Sequence, residues 1–410
     1  MSTDGHLVIV GGGLAAAKSA EHLRLQGYTG PITIFAGEDH LPYERPPLSK
    51  DYLQGKSGFD QALVHPKQWY ALNHVTVCQG TSVVAIDAVD KKLRTSAGAT
   101  VDWDTMILAT GSAPRRLPLP GTDADNVYSL RTVEDSTAIR GHFGPDQRLV
   151  LIGGGWIGLE VAAAARLAGT RVTILEGAAQ PLLAVLGPEI SPHFATLHTD
   201  HGVHLRCSVK ITEVATRHGK ATGVRLADGE VVEADAVVIG IGVAPQIELA
   251  RAAGLKTENG VLVDSTLQTS NPDIYAVGDI ANHIHPVLER RVRVEHWATA
   301  LNQPAAVAAT ITGQRTEYAE LPYFFSDQYD LGMEYIGYAP AGSYDRIIVR
   351  GDPSVREFMA FWVDARNRVL ACMNVNIWDV TDDFKALILS RKGVDPAKLA
   401  DPSVPLGELL

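Results

Sequence analysis

Cysteine is scarce in this chain. Cys78, Cys207 and Cys372 are the only three, they lie far apart, and no CxxC or CxxxxC spacing occurs. A local redox disulfide and a cysteine-rich metal cluster are both excluded on that pattern. Long apolar runs are also missing: nowhere do about 18 apolar residues follow one another, so no membrane-spanning helix is expected. Net positive charge is absent too. The formal charge is −11 over 410 residues, which argues against nonspecific nucleic-acid binding. The opening residues Met1-Ser2-Thr3-Asp4-Gly5-His6 lack the basic and apolar regions of a secretion signal, and a cytoplasmic protein is expected. At 46% hydrophobic residues the chain can build an ordinary globular core, and its length allows two or three domains.

Glycine, by contrast, is abundant, and it clusters in one signature that occurs twice. The first copy is Val8-Ile9-Val10-Gly11-Gly12-Gly13-Leu14-Ala15-Ala16. The second is Leu149-Val150-Leu151-Ile152-Gly153-Gly154-Gly155-Trp156-Ile157-Gly158. Each follows a β-branched run and opens an Ala-rich stretch. A glycine turn between strand and helix lets the backbone approach a pyrophosphate, with the helix N–H groups and dipole facing the negative charge. Gly11 and Gly153 are placed at the tight turns, Gly13 and Gly155 beside the phosphates, and Ala16 and Gly158 at the helix–strand contact. Two such units imply two dinucleotides and electron transfer between them.

The surroundings agree with this reading. After the first loop, Pro31–Phe35 predicts a second strand followed by Glu38, where an acid can bind a ribose 2′-OH. After the second loop, Arg171–Leu175 predicts a strand ending at Glu176. A carboxylate at this position accepts from a ribose hydroxyl and repels a 2′-phosphate, so NADH is favoured over NADPH. The duplication continues: Thr105–Leu108 runs into Ala109-Thr110-Gly111, and Ala236–Ile239 runs into Gly240-Ile241-Gly242.

Between these units, Tyr43-Glu44-Arg45-Pro46-Pro47-Leu48-Ser49-Lys50 breaks the pattern. The two prolines are expected to hold off a helix until Leu48, leaving Arg45 in a rigid loop and Lys50 near a helix start. Ile274–Asp279 predicts a strand ending in Gly278-Asp279 before a helix over Ala298–Thr312. From about Leu321 the chain becomes richer in aromatics and alternates strands with turns, as in a separate α+β domain. The expected fold class is α/β, with two Rossmann-like dinucleotide-binding domains and a C-terminal α+β domain.

Taken together, the paired glycine loops, Ala109-Thr110-Gly111, Val277-Gly278-Asp279, Pro46–Lys50, Gly155–Glu160, Ser326-Asp327-Gln328 and Tyr344–Gly351 resemble a known family. It is the FAD-dependent NADH:ferredoxin reductases of the putidaredoxin reductase and aromatic-ring dioxygenase type, with a glutathione-reductase-like fold. The resemblance implies an FAD domain in two pieces, 1–112 and 244–320, an NAD domain at 113–243 and a C-terminal domain at 321–410. It implies FAD contacts at Gly11, Gly13, Leu14, Ala15, Glu38, Arg45, Lys50, Val83, Ala109, Thr110, Gly111, Arg131, Asp279, Glu295, His296 and Trp297. It implies NAD contacts at Gly153, Gly155, Trp156, Ile157, Gly158, Glu176 and Gly242. Lys50 and Glu160 are the candidate catalytic pair beside the flavin, Glu160 holding Lys50 and Lys50 stabilising negative charge on the reduced ring. The chain departs from the family at Gly37, where relatives often carry an acid, and at Phe325, where they carry Trp.

The expected partner is an iron–sulfur ferredoxin, with Arg290, Arg291 and Arg293 as a candidate docking patch for an acidic protein. No metal site is expected in the chain itself. The resemblance leaves open a monomer or a homodimer, and it admits two other readings. One is a rubredoxin reductase or NADH diaphorase; the other is an NADH-sensing flavoprotein similar to apoptosis-inducing factor.

Overall fold

The computed structural model describes residues 3–409. They fall into two compact units. The first comprises the segments up to Glu44, Asp60–Ala113 and Ala244–Tyr323; the second comprises Arg45–Phe59, Pro114–Val243 and Phe324 to the C-terminus. Residues 45–59, which carry Arg45 and Lys50, therefore group with the second unit.

The first unit is built on a five-stranded parallel sheet. Its order is Ile274–Ala276, Thr105–Leu108, Leu7–Val10, Ile32–Phe35, Val75–Cys78. The strands read as continuous apolar runs because both sheet faces are covered, and Leu7, Val8 and Ile9 are fully buried. The glycine loop leaves the central strand Leu7–Val10 and enters the helix Leu14–Leu25. The long helix Trp297–Ile311 packs against it.

The second unit repeats the plan. Its parallel sheet runs His204–Arg206, Arg171–Leu175, Arg148–Ile152, Ala236–Ile239, Val127–Tyr128, and the second glycine loop leaves the central strand Arg148–Ile152 for the helix Trp156–Leu167. The duplication thus extends to strand order. The two sheets differ at one edge: the first recruits it from late in the chain, at Ile274–Ala276, and the second from just upstream, at Val127–Tyr128. The expected C-terminal α+β region is a five-stranded antiparallel sheet over 323–375 with the helix Thr381–Ser390 against it.

One local expectation is corrected. Pro46 and Pro47 do not hold off a helix. They open a 3-10 turn, Pro46–Ser49, and Lys50 caps its end with its N–H on the Pro47 carbonyl at 3.1 Å. Proline is tolerated in a first turn, since the N–H it lacks has no partner there. Lys50 is therefore fixed at a helix end rather than a helix start. Among the described residues no helix is long and apolar enough to cross a membrane.

Candidate functional site

In the first unit, Gly11 takes φ +131, and a Cβ there would lie 2.1 Å from the Ala109 carbonyl oxygen. Only glycine fits, so the loop and the Ala109 turn are pressed together. Gly13 is different. It is the N-cap of Leu14–Leu25 without a side-chain cap, and a Cβ there would meet nothing within 4 Å. The space in front of Gly13 is therefore an open cradle at a helix N-terminus, with the backbone N–H groups of Leu14 and Ala15 among the orphan donors of the first turn. A pyrophosphate fits that cradle.

The rest of the expected FAD set in this unit is spread over several elements. Gly278, at φ +74, places its Cα so that a Cβ would sit 3.3 Å from the Ala15 Cβ, which brings the Gly278-Asp279 turn against the cradle helix. Its N–H donates to the buried Gln303 Oε1 at 2.8 Å. His296 caps Trp297–Ile311, and the surrounding protein pushes its imidazole down to about 4 by desolvation. The Trp297 indole donates to Glu44 Oε2 at 3.0 Å. The Ala109-Thr110-Gly111 turn is tied by Gln246, whose N–H donates to the Gly111 carbonyl at 2.9 Å and whose carbonyl accepts from Thr110 Oγ1 at 2.7 Å. Glu38 accepts a hydrogen bond from the Tyr43 hydroxyl, which orients its carboxylate just past the end of its strand. Val83 opens the strand Val83–Asp87 and is half-buried.

Arg293 departs from its expected place in a docking patch. Its side chain is 7% exposed; it pairs with Glu295 at 2.6 Å and donates to the Asp279 carbonyl at 3.1 Å. Arg290 and Arg291 are exposed, although Arg291 spends Nη1 on the Val263 and Asn282 carbonyls.

The second unit holds the second cradle. Gly153 sits at φ +105 with the Gly240 carbonyl 2.5 Å from a would-be Cβ, and Gly158 would place one 2.4 Å from the Gly153 carbonyl. Gly155 is an uncapped N-cap, and a Cβ there would meet only the Gly240 carbonyl oxygen, at an uncrowded 3.8 Å. Glu176 curls over this loop: Oε2 accepts from the Gly154 N–H at 2.6 Å and Oε1 from the Ala178 N–H at 2.7 Å. Its remaining lone pairs are available to a ribose diol. Trp156 packs edge-on against Phe194 and Phe324, Ile157 is exposed, and Gly242 turns at φ +92.

The candidate catalytic pair also lies in this unit, and it is joined. Lys50 Nζ is 2.8 Å from Glu160 Oε1, with side-chain exposures of 15% and 6%. Ser49 Oγ donates to Glu160 Oε2 at 2.5 Å and Ser326 Oγ to Oε1 at 2.6 Å. A buried carboxylate that faces an ammonium and two hydroxyl donors is held in one geometry. Lys50 also stands 5.3 Å from the centroid of the Phe325 ring. Asp327, next along, has its carboxyl pushed up by burial, with Lys50 acting against that shift. Arg45 donates to the Arg131 carbonyl, so two further expected FAD residues meet here.

Ser49, Ser326, Gln246 and Gln303 were not among the expected site residues. Strand alternation carried the signal for Ser326: along Tyr323–Gln328, Ser326 and Gln328 point inward and Asp327 outward.

Comparison with known proteins places this geometry. The family described as pyridine nucleotide-disulphide oxidoreductase matches residues 5–303, and the reductase C-terminal family matches 323–410. Putidaredoxin reductase CamA from Pseudomonas putida is 39% identical, covering 100% of this chain and 98% of that protein. The ferredoxin–NAD(+) reductase component of the anthranilate 1,2-dioxygenase system of Burkholderia cepacia is 38% identical over 100% of both. Among solved structures, the covalent putidaredoxin reductase–putidaredoxin complex superposes with a TM-score of 0.94 at 38% identity, over 100% of this chain and 98% of that one.

Proposed function

This chain belongs to the pyridine nucleotide-disulphide oxidoreductase family, among its FAD-dependent ferredoxin reductases, and from that premise we propose that it carries electrons from NADH to an iron–sulfur ferredoxin. That ferredoxin serves a cytochrome P450 or a ring-hydroxylating oxygenase. The observation that carries the reading is the pair of uncapped glycine cradles on matching sheets, one per unit, in a chain with three isolated cysteines. With no dithiol to receive electrons, the acceptor is a separate protein.

In this reading residues 1–112 and 244–320 form the FAD domain, 113–243 the NAD domain, and 321–410 the C-terminal domain. Gly11, Gly13, Leu14 and Ala15 hold the FAD pyrophosphate, Glu38 the adenosine ribose, and Val83 the adenine. Ala109, Thr110, Gly111, Arg45, Arg131, Asp279, Glu295, His296 and Trp297 complete the FAD set, Trp297 through its backbone. Gly153, Gly155, Trp156, Ile157, Gly158 and Gly242 hold the NADH, and Glu176 its ribose. Bound FAD supplies the chemistry that takes a hydride's two electrons and releases them singly. Lys50 offers a fixed positive charge to the reduced ring, and Glu160 with Ser49 and Ser326 keeps the ammonium in place. A buried pair of this kind is a weak source of stability, since desolvation offsets most of its Coulomb attraction, and it is better explained by the charge it fixes. Arg290 and Arg291 are the candidate docking residues.

The test is NADH-driven reduction of a panel of [2Fe–2S] and [3Fe–4S] ferredoxins, read by coupled cytochrome c reduction. Turnover with at least one ferredoxin is expected. Turnover with rubredoxin and none of the ferredoxins would replace this reading with a rubredoxin reductase.

A further inference from the structure

The hydrogen bonds around Glu160 do not end at Ser326. Gln328 Nε2 lies 3.0 Å from Ser326 Oγ, Gln328 Oε1 lies 2.9 Å from His198 Nε2, and His198 Nδ1 lies 3.3 Å from Tyr329 Oη. Ser326, Gln328 and His198 are buried. His198 comes from the helix Ser191–Asp200, Ser326 and Gln328 from the strand Tyr323–Gln328, and Tyr329 from the turn that follows.

The direction of every bond is forced by one end. An ionised carboxylate only accepts, so Ser326 must spend its single proton on Glu160. Its oxygen is then an acceptor toward Gln328, whose NH2 must face it. That leaves the Gln328 carbonyl facing His198, so Nε2 of His198 carries a proton and donates. The buried imidazole is pushed down to about 4 by desolvation, hence neutral near pH 7, and its Nδ1 must accept from Tyr329. All four donors point toward Glu160. Aligned bonds polarise one another, and each strengthens the next in a site of low dielectric.

We propose that Tyr329, His198, Gln328 and Ser326 form a one-way hydrogen-bond relay that fixes the Glu160 carboxylate against Lys50, with His198 as a remote positioning residue for the flavin-side charge. His198 bonds neither Lys50 nor Glu160 and acts through two intervening side chains. The geometry explains why a histidine is buried here. An imidazole held in one tautomer donates to the amide and accepts from the phenol at fixed angles, which locks the Gln328 amide against flipping. The inference rests on the assignment of Lys50 and Glu160 to the flavin.

The test compares three variants of the FAD-loaded enzyme: Lys50→Met, His198→Leu and His198→Gln. The readout is the flavin midpoint potential from a dithionite titration with dye mediators, which needs neither NADH nor ferredoxin. Lys50→Met sets the sign of the shift. His198→Leu is expected to shift the potential the same way by a smaller amount, and to slow flavin reduction by NADH roughly tenfold, the effect of one weakened hydrogen bond to a charged group. His198→Gln, which keeps an N–H donor at the right reach, is expected to restore the wild-type potential. If Lys50→Met shifts the potential and His198→Leu does not, the relay is overturned while the function stands. If Lys50→Met shifts nothing, the assignment of Lys50 falls and the relay falls with it. Failure of a folded His198→Gln to rescue also overturns the relay. Should His198→Leu not fold, Tyr329→Phe is read in its place. That variant removes the outermost donor and keeps the ring stacked on His201 at 3.7 Å, and an unchanged potential there overturns the proposal.

Discussion

The Glu176 carboxylate and the Gly154 amide are bonded to each other at 2.6 Å, so the acid that ends one strand braces the glycine loop that leaves its neighbour. This acid has two tasks, shaping the loop and offering lone pairs to a ribose. Glu176→Gln keeps an acceptor for the loop and removes the negative charge. A charged hydrogen bond is worth about 1.5–3 kcal/mol, so kcat/KM for NADH is expected to fall roughly 10- to 100-fold. NADPH, no longer repelled, is expected to lose far less. Steady-state kinetics with both nucleotides measures the ratio, and an unchanged preference for NADH would remove Glu176 from cofactor choice.

Gly11 and Gly13 look interchangeable in sequence and are not so in space. At Gly11 a methyl group would strike the Ala109 carbonyl, and φ is +131; at Gly13 it would meet no protein atom. Gly11→Ala is therefore expected to damage the fold itself, with a lower melting temperature even without cofactor. Gly13→Ala is expected to leave apoprotein stability within about 0.5 kcal/mol of wild type, as for a substitution that clashes with nothing. It should weaken FAD, because the methyl fills the space a phosphate needs. Thermal melts of the apoproteins and FAD titration by fluorescence quenching separate the two effects. Equal loss of apoprotein stability in both variants would contradict the open cradle.

Local pattern in the sequence carries the fold but only part of the candidate site. Both glycine loops, both sheets and the acids after the second strands follow from local pattern, since a turn, a helix start and a strand end are set within a few residues. The joining of Lys50 to Glu160 followed from the family resemblance alone, because 110 positions separate them and no local rule spans that gap. Gln246 and Gln303 have no local signal, since each acts on a turn elsewhere in the chain, and alternation along Tyr323–Gln328 marks Ser326 as inward-facing without showing which carboxylate it meets. Proline's missing N–H stops a helix in most positions, but in a first turn that N–H is not needed, and Pro46 and Pro47 open a turn there. The sequence groups Arg293 with Arg290 and Arg291 in one candidate docking patch, yet it lies just past a three-residue strand and turns inward to Glu295.

Breaking the Lys50–Glu160 pair one partner at a time strands a buried charge. Glu160→Leu is expected to destabilise by about 3–5 kcal/mol, since Lys50 then lacks its counter-ion and two serines lack their acceptor. The double variant Lys50→Met with Glu160→Leu is expected to recover most of that loss while remaining slow in electron transfer. Urea unfolding of the four proteins closes the cycle. A double variant as unstable as Glu160→Leu alone would mean that packing, not stranded charge, dominates.

Docking by Arg290 and Arg291 predicts a salt-sensitive association, while Arg293, held by Glu295, stays out of it. Charge reversal at both exposed arginines is expected to lower ferredoxin-dependent turnover at low salt and to flatten its dependence on ionic strength, because steering acts on the association rate. NADH reduction of small-molecule dyes is expected to be unaffected. Stopped-flow reduction of ferredoxin across an ionic-strength series decides it, and an unchanged salt slope would move the docking site elsewhere.

Acid should loosen the first unit through His283. Its imidazole is buried beside His285 and Tyr318, and desolvation lowers its pKa from 6.5 to about 4. The folded state therefore resists a proton that the unfolded chain accepts. Above pH 6.5 both states are neutral at this site and it makes no pH-dependent contribution. Between 6.5 and about 4 the unfolded state binds more protons, so stability falls as the pH falls, by on the order of 3 kcal/mol across the window. His283→Phe keeps an aromatic ring of similar size and removes the titration. Urea midpoints at pH 7.5 and 5.0 are expected to draw closer in this variant than in the wild type, and midpoints equally separated in both would mean that His283 is not the group responsible.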